Sequence, residues 1–170
     1  MRKLLFTIAV TLIFVLNGTA QDTKFGATAG FLNAGAKVKF GGDSVSDTEA
    51  GFYVGLIADF EASEKFHVQP ELLYANVNES SALFIPVLGK IYVAESFSLH
   101  VGPQFGISLE ETGEDSSSFS FELAGGLGYD ITDQFFIEAR YAQQLNNAYT
   151  GDLDITARGN GLFVGIGYTF

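Results

Sequence analysis

The chain has 170 residues, no cysteine and a formal net charge of −11. Without cysteine there is no disulfide framework and no thiol chemistry. The first twenty residues hold two of the nine Lys and Arg and none of the Asp and Glu, so the rest carries seven cations against twenty acids, near −13. That balance argues against a nucleic-acid partner, whose backbone needs clustered Lys and Arg.

The N-terminus reads as a secretory leader. Arg2 and Lys3 form a basic start, Leu4 to Leu16 is apolar, and Gly18 and Ala20 are the small residues before a cleavage site. An apolar run of about 13 residues is short of the roughly 20 that a spanning helix needs. Residues 1–20 are therefore expected to be removed, leaving one domain, 21–170.

Eight runs of about ten residues follow, the length of a tilted strand that crosses a bilayer. They are Phe25 to Ala34, Gly51 to Glu61, Phe66 to Asn76, Ala82 to Val93, Phe97 to Leu109, Phe119 to Asp130, Phe135 to Asn146 and Gly159 to Phe170. Connections at Gly35 to Ala50, Glu110 to Ser118 and Asn147 to Arg158 read as long, and Val77 to Ser81 as short to medium. Those at Ala62 to Lys65, Ala94 to Ser96 and Ile131 to Gln134 read as tight. Outer-membrane barrels have short periplasmic turns and longer outside loops, so the rhythm places both termini in the periplasm.

Within the runs, apolar and small or polar residues alternate. Phe66, Val68, Pro70, Leu72 and Tyr74 oppose His67, Gln69, Glu71, Leu73 and Ala75. Phe97, Leu99, Val101, Pro103, Phe105 and Ile107 oppose Ser98, His100, Gly102, Gln104, Gly106 and Ser108. In the last run Leu162, Val164, Ile166, Tyr168 and Phe170 oppose Gly165, Gly167 and Thr169. Alternation alone does not say which face is inside, because a soluble sandwich alternates with the opposite sense. The leader and the aromatic strand ends decide for lipid outside and a filled lumen within. The expected fold is all-β: an eight-stranded antiparallel up-and-down transmembrane barrel.

Five segments in order also resemble a family. They are Gln69-Pro70-Glu71-Leu72-Leu73-Tyr74, Phe84 to Tyr92, Val101-Gly102-Pro103-Gln104-Phe105-Gly106, Gly126-Leu127-Gly128-Tyr129 and Glu138-Ala139-Arg140-Tyr141. The chain resembles the PorT-like outer-membrane β-barrel proteins common in Bacteroidota. The resemblance implies an eight-stranded outer-membrane barrel and no single biochemical activity. Gly89 stands where the family often has an aliphatic residue.

The inward polar set is Asp59, His67, Gln69, Glu71, Lys90, His100, Gln104, Glu122, Asp130, Glu138 and Arg140. An eight-stranded barrel is just wide enough for side chains to fill it, and charges there must be paired. Counted up from the periplasmic turns, Lys90, His100 and Glu138 stand about four residues high and Glu71 and Arg140 about six. A lumen network of Glu71 and Glu138 with Lys90 and Arg140, joined by His100 and Gln104, is expected to plug the barrel. The rival reading is a narrow conduction path. No HExxH, GxSxG or CxxC motif occurs. His67 and His100 lie near the periplasmic strand ends, so no catalytic, cofactor or metal site is assigned.

Acids gather in the expected outer loops: Asp43, Asp47 and Glu49, then Glu110, Glu111, Glu114 and Asp115, then Asp152 and Asp154. They read as a solvated surface, or as a place for divalent cations to bridge lipopolysaccharide phosphates. Gly41-Gly42 and Ser116-Ser117-Ser118 read as flexible loop backbone. Gly165, Tyr168 and Phe170 resemble the signal read by the barrel-assembly machinery, although Phe163 stands where that signal usually has a polar residue. The leading expectation is a non-enzymatic outer-membrane protein, structural or binding a protein partner at its outer loops or periplasmic turns. A narrow pore or secretion accessory comes second, and a barrel enzyme last.

Overall fold

The structure, a computed structural model, describes residues 23–111, 113 and 115–170. The expected leader and Glu114 lie outside the described residues. Eight strands run in chain order: β1 Thr23–Phe40, β2 Asp43–Ser63, β3 Phe66–Val77, β4 Ser80–Ala94, β5 Phe97–Ser108, β6 Phe119–Asp130, β7 Phe135–Gln144 and β8 Ile155–Thr169. Each pairs antiparallel with the next, and β8 pairs with β1, closing the barrel.

The register fixes the tilt. A circuit from Thr23 passes Phe60, Val68, Gly89, Val101, Gly125, Tyr141 and Leu162, and returns to β1 at Asn33, ten residues along. With eight strands that stagger corresponds to a tilt of about 40°. Closure leaves no edge strand, so the backbone donors and acceptors of the wall satisfy one another, as hydrocarbon demands.

The alternation divides as the sequence predicts. Leu72, Val101 and Ile137 point outward and are 48%, 53% and 45% exposed, whereas their neighbours Leu73, His100 and Glu138 are buried inside. Large inward rings fit because a facing strand carries glycine. A Cβ on Gly167 would overlap the Phe136 ring, and one on Gly165 would overlap the Tyr53 hydroxyl.

The first connection differs from expectation. Gly35 to Ala50 is not a loop: β1 and β2 stay paired up to a two-residue turn at Gly41 and Gly42, with φ of 56° and 95°. Positive φ at both central residues makes the tight turn that matches strand twist, and glycine takes it without strain. Gly41-Gly42 is thus a built hairpin tip rather than loose backbone. β8 lengthens alongside, down from Ile155, so a three-stranded extension of β2, β1 and β8 rises above the rest of the wall. Asn78 (φ 53°) and Glu79 close a tight β3–β4 turn. The long connections are 109–118 and 145–154, and they lie at the end opposite Thr23 and Phe170.

Arginine at Val101 should cost about 2–4 kcal/mol, since it places a charge against mid-bilayer lipid. Urea unfolding in vesicles measures it. A loss no larger than that from a substitution in the 145–154 loop would contradict the outward assignment.

Candidate functional site

The lumen is built in layers. Lowest, beside the tight turns, Lys90 lies between two acids: its Nζ is 3.5 Å from Asp59 Oδ2 and 3.9 Å from Asp130 Oδ1. His67 Nδ1 is 2.6 Å from Asp59 Oδ1, and the Tyr92 hydroxyl donates to Asp130 Oδ2 at 2.8 Å. The ammonium also sits 5.1 Å from the Tyr92 ring centre and 5.5 Å from that of Phe136. This cluster lines a crevice of about 330 Å³ that opens between the tight turns.

Above it, Arg140 from β7 crosses the lumen to Glu71 on β3. Its Nη1 donates to Glu71 Oε1 at 2.9 Å and Oε2 at 3.0 Å, and both side chains are fully buried. Gln69 Nε2 donates to the same Oε1 at 2.9 Å. The guanidinium carbon rests 5.2 Å from the Phe163 ring centre, so the cation is held by a carboxylate and by a ring face. Nearby, His100 Nε2 and Ser98 Oγ share a 2.9 Å hydrogen bond. Near the long loops, Glu122 accepts from Gln104 Nε2 and from Ser120 Oγ, each at 2.7 Å.

Glu71 and Arg140 therefore meet, but Lys90 does not join them. It pairs with Asp59 and Asp130, which stand nearer the turns. Neither carboxylate oxygen of Glu138 has a hydrogen-bond partner among the described residues. The reason is position around the bore: counting up from turns gives a height, but tilted strands also carry residues sideways as they rise, so equal counts do not bring two side chains together. Gln104 and His100 serve separate layers rather than one network.

A second feature is apolar. Leu32, Tyr53, Leu73, Ala75, Leu88, Ala124, Ala142 and Phe163 are buried together, with Phe84 packed on them. Phe163 meets Tyr53 and Phe84 edge-on, with ring centres 5.5 and 5.6 Å apart. This layer fills the bore from the level of the Arg140–Glu71 pair toward the long-loop end. The expectation of a purely polar plug missed it. The available signal was the unbroken apolar runs Leu72-Leu73-Tyr74 and Phe84 to Leu88, which have apolar side chains on both faces. On top of the layer is an open cup of about 430 Å³. Its floor includes Leu32, Ala75 and Phe84, and its rim carries Asp47, Glu49, Ser80 and Ser81.

At the other end, Tyr168 packs against Phe135 and Phe170, with centroids at 4.8 and 5.8 Å, and accepts a hydrogen bond from Gln134. The Phe170 N–H donates to the Phe25 carbonyl, continuing the β1–β8 ladder to the last residue. Gly165 lies five residues up from Phe170, on the lumen side of β8.

Comparison with known proteins gives the same architecture. Residues 6–170 match the outer membrane protein beta-barrel domain. Among solved structures, the chain is similar to Ail, the attachment invasion locus protein of Yersinia pestis. Identity is 18% and the TM-score 0.53, over 88% of this chain and 100% of that one. Ail in complex with the heparin analogue sucrose octasulfate matches at 17% and 0.51, over the same shares. Neisserial surface protein A matches at 16% and 0.53, again over 88% and 100%. At these identities the likeness concerns the fold. No curated protein sequence matches.

Removing Glu71 should leave a buried guanidinium without its carboxylate. Glu71→Ala is expected to cost about 3 kcal/mol or more, whereas replacing both partners with leucine should restore much of the loss. Unfolding of the two variants in lipid compares them. Similar losses for Glu71→Ala and for Asp152→Ala in the 145–154 loop would show that the pair does not brace the lumen.

Proposed function

The chain belongs to the outer membrane protein beta-barrel domain family, and we propose that it is a closed, non-enzymatic outer-membrane protein that works through its long-loop end. One observation carries the proposal. The bore is filled across its width, by the Arg140–Glu71 pair and then by the apolar layer above it, with Leu73 and Leu88 fully buried. A barrel of eight strands that is packed in this way offers no aqueous path.

Within the family we assign the chain to the PorT-like group on the five ordered segments. We place both termini in the periplasm because 109–118 and 145–154 lie at the opposite end. Gly165, Tyr168 and Phe170 are the proposed assembly signal, since the β8 ladder reaches Phe170. The outer end is then the tall hairpin, the acidic loops and the cup. A cup with an apolar floor and an acidic rim suits a partner that presents an apolar group beside a cation. The sulfated ligand in the Yersinia structure is not carried over to the cup, where Asp47 and Glu49 would repel it.

Planar-bilayer recording of the refolded protein tests closure. The expected record is flat, and stepwise potassium currents would favour the narrow-pore reading. Orientation has its own test. Protease added to intact cells should cut within 109–118 or 145–154 and spare the paired Gly35 to Ala50 hairpin. Cleavage at Glu95-Ser96 from outside would reverse the barrel.

A further inference from the structure

Seven cations follow residue 20. Lys90 and Arg140 are buried in the lumen, and Lys24 and Lys65 sit at the tight-turn end. The other three, Lys37, Lys39 and Arg158, converge on one surface. Lys37 is directly opposite Arg158 across the β1–β8 ladder, and Lys39 is two residues further along the same face. Among the described residues none of the three forms an ion pair.

The face they share is the outward one. Below Lys37 on β1 stand Gly35, Asn33 and then the exposed Phe31. Below Arg158 on β8 stand Asn160, Leu162 and Val164. The row Lys37–Arg158 thus continues the lipid-facing wall upward, with Ser44, Ser46 and Thr156 beside it on the neighbouring strands. Its height follows from the geometry. Lys37 is twelve residues above Phe25, the exposed aromatic at the lower edge of β1. At a rise of about 3.3 Å per residue and a tilt of about 40°, that is roughly 30 Å, just past an apolar band about 25 Å tall. The cations therefore lie in the headgroup layer.

Two further points mark this as a site. Like charges directly opposite on adjacent strands repel, so the row is unfavourable unless an anion lies between them. The chain is otherwise strongly acidic, yet three of the five cations outside the lumen gather here. A hollow of about 420 Å³ adjoins the row, lined by Lys37, Lys39, Ser44 and Thr156. Asp43 and Asp154 border it toward the hairpin tip, farther from the bilayer than Lys37 and Arg158.

We propose that Lys37, Lys39 and Arg158 form a binding site on the barrel wall for the phosphate groups of an outer-leaflet glycolipid. The identity of the leaflet rests on the orientation proposed above, whereas the phosphate chemistry does not. Three donors of fixed spacing would hold a phosphorylated sugar headgroup while its acyl chains lie along Phe31, Leu162 and Val164. This row would anchor the tall hairpin to the membrane surface and leave the acidic face of the hairpin turned over the cup.

Native mass spectrometry of the full barrel in zwitterionic detergent tests the site independently of orientation. Diphosphoryl lipid A should bind at least tenfold tighter than lipid A stripped of both phosphates. K37S/K39S/R158S should lose about that factor, while K24S/K65S should not. Heat-dependent gel shift establishes that each variant is folded. If the triple variant does not fold, R158Q and K37S singly should each weaken binding, and R158K should not. Equal binding of stripped lipid, equal binding of phosphatidylglycerol, or displacement by millimolar inorganic phosphate would each overturn the glycolipid assignment. Tight lipid A binding combined with protease access from the wrong side would refute the orientation and leave the phosphate site standing.

Discussion

The β1–β8 ladder is the constraint on which everything else depends. In hydrocarbon an unpaired backbone amide has no water to turn to, so a sheet survives only if its two edges meet. Joining them with a stagger of ten residues sets the tilt, and the tilt sets the bore. Strand number and stagger together leave a lumen that side chains fill. The ions inside are thus a consequence of closure: inward positions must be occupied, and what occupies them must be paired or apolar.

The charged layers contribute differently from the apolar one. Taking a carboxylate and a guanidinium out of water is costly, and Glu71 with Arg140 offsets that cost only through short contacts and the additional Gln69 hydrogen bond. The pair is better read as fixing the register of β3 against β7 across the bore than as a large net gain in stability. The layer of Leu73, Leu88 and Phe163 gains by burial alone. It also separates Glu71 and Arg140 from the cup above, which strengthens the electrostatic interaction between them.

The sequence displayed the wall more readily than the contents. Period-two alternation is written directly in residues such as Phe97 to Ser108, because every second side chain meets lipid. The tall hairpin was hidden for the same reason. From Lys37 to Glu49 neither face meets hydrocarbon, so nothing enforces an apolar stripe, and only Gly41-Gly42 between Phe40 and Val45 hinted at a turn. In the lumen, the kind of residue was legible but not its partner. Lys90 and Glu138 stand at similar counts above their turns, yet the stagger brings Lys90 to Asp59. Phe163 appeared only as a departure from an assembly signal, whereas it is the ring on which Arg140 rests.

The fit of Phe136 against Gly167 and of Tyr53 against Gly165 links residues on different strands through volume rather than charge. Each ring occupies space that its partner relinquished. Such positions should drift through descent as couples: a side chain gained at one glycine requires a smaller residue opposite, in the same lineage. Within this barrel the inherited unit is therefore the filled cross-section, and homologues with quite different lumen residues can still share one bore.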